Sequence, residues 1–163
     1  MVSIGDILPL TRVVLDLEVS SRKRLFETVG KLIADTVSAE QVDAIEETEE
    51  ANTQLATDVF ESLFDRERLG STGFGNGVAI PHGRLECIKQ AMGVLIRLKE
   101  AIDFDASDNK PVSLVFALLV PKEETNEYLE ILSRLAERLS NPEVRECLLS
   151  CDDAQTARDL VIN

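Results

Sequence analysis

Nine residues between two prolines constrain this chain most. Val112-Ser-Leu-Val-Phe-Ala-Leu-Leu-Val120 runs from Pro111 to Pro121 with a single polar side chain. A run of that length bounded by prolines reads as a strand, and its lack of alternation means that both its faces are covered. Helices must therefore pack on either side of the sheet that holds it. The flanking segments supply them. Ser20-Ser21 can cap a helix over Arg22–Ala34 with Leu25, Val29, Leu32 and Ile33 as its stripe. Asp58–Leu69 places Val59, Phe60, Leu63 and Phe64 on one side, with Gly70 as C-cap. Thr125 can cap Asn126–Leu139, with Leu129, Leu132, Leu135, Ala136 and Leu139 as its core stripe; Asn141-Pro142 opens a helix through Leu149, and Asp152 or Asp153 opens another through Val161. Gln90–Leu98, Ala101–Phe104 and Val78–Ile80 read as further strands, the last after an Asn76-Gly77 turn. Ile4–Val19, with its apolar Val13–Leu17, reads as a lead-in loop or short strand. The fold class expected is α/β, a mixed parallel and antiparallel sheet flanked by helices on both faces, with residues 1–163 forming one domain.

Charge narrows the partners. The 30 acidic and 17 basic residues give a net charge of -13, which disfavours phosphate backbones and anionic membranes. The acids concentrate between Glu40 and Thr53, a stretch that reads as a solvated helix end or acidic loop. Without a basic, apolar leader or an 18-residue apolar run the chain is expected in the cytoplasm, with no membrane insertion. Cys87, Cys147 and Cys151 read as reduced, partly buried thiols; two sulfurs four apart make a poor zinc site.

His82 is the only histidine. It closes Gly70-Ser-Thr-Gly-Phe-Gly-Asn-Gly-Val-Ala-Ile-Pro-His-Gly-Arg84. Neither the dinucleotide fingerprint nor the P-loop pattern is present there. Glycines still allow close backbone approach, so Gly73, Gly75 and Gly83 with the hydroxyls of Ser71 and Thr72 could cradle an anion such as phosphate. A neutral imidazole is a nucleophile near neutral pH, and phosphoryl transfer needs positioning and charge stabilisation. Arg66, Arg68 and Arg84 each lie near enough in sequence to supply a bidentate clamp. The plainer alternative is a turn histidine among loop glycines, and residue chemistry alone leaves both open. No nucleophile elbow, metal-ligand set or singled-out carboxylate pair competes.

The stretch Arg66-Glu-Arg-Leu-Gly-Ser-Thr-Gly-Phe-Gly-Asn-Gly-Val-Ala-Ile-Pro-His-Gly-Arg84 resembles the signature of IIA proteins of the bacterial phosphotransferase system. It is most similar to the nitrogen-regulatory IIA group, relatives of the fructose/mannitol IIA domains. Phe104-Asp-Ala106, Asp108-Asn-Lys-Pro-Val112 and Phe116-Ala-Leu-Leu-Val-Pro121 carry the resemblance downstream. It implies a mixed sheet flanked by helices and a phosphotransferase component with a phosphohistidine intermediate. His82 would accept the phosphoryl group from a phosphorylated HPr-like carrier, and Arg66 would be the family's active-site arginine. No cofactor is implied. Members often carry a second histidine after the Leu-Val-Pro strand; Tyr128 stands in its place here. The resemblance implies a regulatory phosphocarrier whose targets include potassium-transport components or sensor kinases. The alternatives are a sugar-specific IIA that passes its phosphoryl to a IIB protein, and a binding module that transfers nothing.

Overall fold

A computed structural model describes residues 2–38, 40–42, 48–123 and 126–163. The apolar run is β6 (Val112–Pro121). Antiparallel to it lies β5 (Met92–Ile102), paired from Met92↔Leu119 to Ile102↔Val112. Parallel to β5 on its far side runs β1 (Val13–Leu17). The other edge of β6 carries two short strands end to end, both parallel to it: β3 (Val78–Ala79) and β4 (His82–Leu85). A hairpin joins β2 (Gly73–Gly75) antiparallel to β3. The sheet is mixed and runs β1-β5-β6-β3-β2, with β4 also on β6.

Side chains of β6 alternate between two cores. Leu114, Phe116, Leu118 and Val120 join one apolar cluster; Val115, Ala117 and Leu119 join another. The first cluster is completed by α1 (Ile4–Ile7), α4 (Asn126–Leu139), α5 (Pro142–Ser150) and α6 (Ala154–Ile162). The second is completed by α2 (Arg22–Thr36) and α3 (Glu49–Leu69), through Leu25, Phe26, Val29, Ile33, Val59 and Leu63. Each of these six is fully buried, a gain of about 1.5–3 kcal/mol for the larger side chains before the entropy of ordering them. Helices thus cover both faces, as the unbroken apolar run requires. None of the described helices is long and apolar enough to cross a membrane.

Caps follow the sequence closely. Ser21, Asn141 and Asp153 each accept a backbone N–H of the helix that they open. Several expectations are corrected. The third helix starts at Glu49 rather than Asp58, because Thr48 accepts the N–H of Ala51 and Glu49 and Glu50 sit in the electropositive first turn. Part of the acidic stretch is therefore helix; its Asp43, Glu46 and Glu47 lie outside the described residues, as does Thr125, the expected cap of α4. Gln90–Leu98 and Ala101–Phe104 are not two strands: Met92–Ile102 is one strand whose register shifts between Arg97 and Ile102. In α4 the core stripe is Tyr128, Ile131, Leu135 and Leu139, and Leu129 is 61% exposed. The spacing of three and four that begins at Tyr128 wins over the one that begins at Leu129, because Tyr128 turns inward against β4. The stretch Ile4–Val19 contains α1 and a short 3-10 turn (Leu10–Arg12) ahead of β1.

Candidate functional site

His82 opens β4 and is placed by the backbone before it. The N–H of Leu118 bonds the Pro81 carbonyl, so the chain stays tied to β6 through the proline. The carbonyl of Ile80 meets the imidazole instead: Nδ1 lies 2.8 Å from it. A carbonyl can only accept, so Nδ1 carries the proton and Nε2 holds the lone pair. Burial pushes the imidazole below its ordinary value, and the cations of Arg66 and Arg84 add to this against the opposing pull of the Ile80 carbonyl and Glu67. The ring is therefore neutral at pH 7, with one defined nucleophilic nitrogen.

An open hollow surrounds that ring. Its walls include Ser62, Arg66 and Leu69 from α3, Gly83, Arg84 and Cys87 from β4 and just beyond it, and Tyr128 from α4. Asp58, Glu61, Asp65 and Glu86 rim it, and Glu86 is paired with Lys122 at 2.7 Å. Tyr128 presents its ring to His82, centroids 5.7 Å apart and planes at 62°. On the same ring lies the Arg84 guanidinium, 4.8 Å from the centroid. Arg66 enters from the last turn of α3, where it donates to the carbonyl of Gly70 at 2.9 Å. Of the three candidate arginines, Arg66 and Arg84 reach the hollow with His82. Arg68 does not line it; it pairs with Asp65 and covers the Phe64 ring.

The cradle residues divide. Gly83 lines the hollow, and its bare Cα is what lets α3 approach: a Cβ there would overlap Ser62 Oγ and stand 3.0 Å from Ser62 Cβ. Ser62 donates to the Arg84 carbonyl at 3.0 Å across this contact. Ser71, Thr72, Gly73 and Gly75 do not line the hollow. Ser71 donates to the carbonyl of Phe104 and accepts from Gly73. Thr72 gives its hydroxyl and its N–H to the Glu67 carboxylate, at 2.6 and 3.1 Å. Gly73 packs on Ala106, and the next turn is held by Asp108, which accepts the N–H of Asn76 at 2.9 Å. Asn76 and Gly77 have φ of 58° and 78°, the left-handed pair that a two-residue hairpin demands.

Glu67 is the residue that pattern reading passed over. It is 7% exposed, accepts both Thr72 bonds and pairs with Arg22 at 3.2 Å. Arg22 also donates to the Phe104 carbonyl, which already takes the Ser71 hydroxyl. These bonds fasten the end of α3, and hence Arg66, to the start of the hairpin that leads to His82. The available signal was spacing: Val59, Leu63 and Glu67 recur every four residues, on one buried stripe.

A second hollow, slightly larger at about 760 Å³ against 710 Å³, lies among Glu18, Arg24, Glu27 and Lys31. It holds no imidazole or thiol, and two of its ions are paired: Arg24 with Glu27 and Glu18 with Lys99. Chemistry, not size, selects the hollow at His82. Among the described residues no group of three or more His, Cys, Asp or Glu side chains could hold a metal ion.

Comparison with known proteins bears on the family of the chain. The family model described as "Phosphoenolpyruvate-dependent sugar phosphotransferase system, EIIA 2" matches residues 6–163. A "Nitrogen regulatory protein" of Pseudomonas aeruginosa is 37% identical over 163 residues, covering 100% of this chain and 97% of the relative. Another from Klebsiella oxytoca is 52% identical over 122 residues, covering 74% of this chain and 66% of the relative. The crystal structure of nitrogen regulatory protein IIA-Ntr from Neisseria meningitidis superposes with a TM-score of 0.82 at 48% identity, over 97% of this chain and 98% of that one. From its sequence, its mixed sheet between two helical layers and these likenesses, the chain belongs to the EIIA 2 family of the phosphoenolpyruvate-dependent sugar phosphotransferase system.

Proposed function

We propose that this protein is a phosphocarrier that accepts a phosphoryl group on Nε2 of His82 from a phosphorylated HPr-like carrier, and that partner proteins respond to its phosphorylation state. One observation carries the reading. The Ile80 carbonyl holds Nδ1–H, so the lone pair of a neutral imidazole points away from it, in a hollow that also contains two guanidinium groups. The Nε2 lone pair attacks phosphorus, the P–N bond to the donor's imidazole breaks, and its electron pair returns to the donor nitrogen. No proton needs to leave His82, because Nδ1–H is kept throughout. Arg66 neutralises the transferred oxygens with a bidentate fork. Gly83 admits α3 and thereby Arg66 to the site.

Phosphorylation would place about -1.5 to -2 charges on one spot of an already acidic surface, enough to reverse the preference of a docking partner. The same chemical step serves sugar uptake when the phosphoryl passes on to a IIB protein. Similarity to nitrogen regulatory proteins over the full chain favours the regulatory role.

Intact mass after incubation with phosphoenolpyruvate, enzyme I and an HPr-like carrier tests the proposal. One acid-labile phosphoryl on the native chain, absent from His82→Ala and absent without carrier, is the result expected. No addition, with a carrier that phosphorylates another IIA protein in parallel, refutes transfer and leaves a binding module.

A further inference from the structure

We infer that Arg84, laid against the face of Tyr128, is a second guanidinium for the phosphoryl group, and that Tyr128 acts through its ring as the positioning residue for it. The inference rests on the proposal that His82 accepts that group. Three facts place Arg84. His82 and Arg84 are two apart in β4, so their side chains leave the same face of the strand. Tyr128, 9% exposed, presents its ring to both: the imidazole 5.7 Å away and the guanidinium carbon at 4.8 Å. Arg84 also donates to the carbonyl of Lys122 at 3.0 Å, just past the end of β6. An arginine on a strand would otherwise sample many rotamers over water; the ring face and the carbonyl restrict it to the side on which His82 lies.

The consequence is a site with cations on two sides. Arg66 comes from α3 and Arg84 from β4, and both lower the affinity of His82 for a proton and stabilise ionised groups beside it. Both also act on Tyr128, yet burial outweighs them and keeps its hydroxyl protonated. The hydroxyl could donate one hydrogen bond to a phosphoryl oxygen. The geometry assigns the ring the larger share, because it is the ring that meets both His82 and Arg84. A dianionic phosphoryl on Nε2 then has two guanidinium partners rather than one.

Single-turnover phosphorylation at several carrier concentrations separates the two roles of the tyrosine and splits the maximal rate from carrier affinity. The set is Arg84→Gln, Arg84→Lys, Tyr128→Phe, Tyr128→Leu and Arg84→Gln with Tyr128→Leu. Arg84→Gln should lower the maximal rate about 10- to 100-fold, the low end for a lost electrostatic donor since the group is exposed. Arg84→Lys should recover part of that loss. Tyr128→Phe, which keeps the ring, should cost about two- to threefold, and Tyr128→Leu about tenfold. The double variant should fall no further than Arg84→Gln alone, because both act through one group. Melting curves confirm that each variant is folded. Three outcomes overturn the inference: Arg84→Gln within twofold of the native rate, a loss confined to carrier affinity, or Tyr128→Phe as slow as Tyr128→Leu. If the native chain takes up no phosphoryl at all, the phosphocarrier proposal fails and this inference with it.

Discussion

Gly83→Ala tests how closely α3 must approach β4. A methyl group there would overlap Ser62 Oγ and stand 3.0 Å from Ser62 Cβ and 3.1 Å from its carbonyl carbon. Carbon atoms sit comfortably at about 3.5–4.0 Å. Rotating the Ser62 hydroxyl removes the first overlap but breaks its bond to the Arg84 carbonyl, worth about 1 kcal/mol. The two carbons remain, and the helix must retreat by roughly half an ångström. Overpacking of that kind costs about 1–3 kcal/mol, so the total is about 2–4 kcal/mol. For a chain of this length each kcal/mol moves the melting point by about 2–4 °C, so a drop of roughly 5–15 °C is expected. Arg66 lies one turn beyond Ser62 and moves with it, and a displacement near half an ångström should slow phosphorylation about tenfold. Adding Ser62→Ala removes the hydroxyl from the collision and should restore part of the stability. A Gly83→Ala protein that melts within 2 °C of the native chain and accepts phosphoryl at the native rate refutes the close-approach argument.

Glu67→Gln keeps the shape but deprives Arg22 and Thr72 of their carboxylate; Arg22 is one-third exposed, so chemical denaturation should show a loss of about 1–3 kcal/mol, and a change under 0.5 kcal/mol would remove Glu67 from its anchoring role. Proton NMR of the lone histidine should give a native midpoint below the unperturbed value of about 6.5. The unfolded chain then binds the proton first, so stability falls as pH drops from about 6.5 through the native midpoint. His82→Ala should lose that part of the slope, Arg84→Gln should raise the midpoint, and a native midpoint at or above 6.5 contradicts the electrostatics described.

Legibility in the sequence tracked how local the physics was. The unbroken Val112–Val120 run announced a strand covered on both faces, and Ser21, Asn141 and Asp153 announced their helices, since caps and proline-bounded runs act within a few residues. The Asn76-Gly77 turn was equally plain. What required the third dimension was the neighbour across the sheet. Gly83-Arg-Leu85 has no strand signature of its own and becomes β4 only because β6 offers its free edge. Gly73, Gly75 and Gly83 with the hydroxyls of Ser71 and Thr72 suggested a cradle, yet Ser71 and Thr72 are engaged with Phe104 and Glu67, partners that spacing alone does not reveal. In α4 a one-residue choice of phase decided whether Tyr128 or Leu129 faced inward, and the apolar count could not choose between them. The family resemblance placed Tyr128 beside the motif histidine, but the packing of Arg84 on its ring was invisible before the fold.

Consider, finally, what β6 measures. From Leu114 to Val120 odd and even residues along it belong to different cores, and His82 is registered opposite Leu118 on the same strand. A slip of one residue between β4 and β6 would carry the imidazole about 3.3 Å along the sheet, a full hydrogen-bond length away from Arg66 and Tyr128. A slip of β6 itself would send each apolar side chain into the wrong core. The strand is thus a ruler with two scales, one graduated in buried side chains and one in the position of a nucleophile.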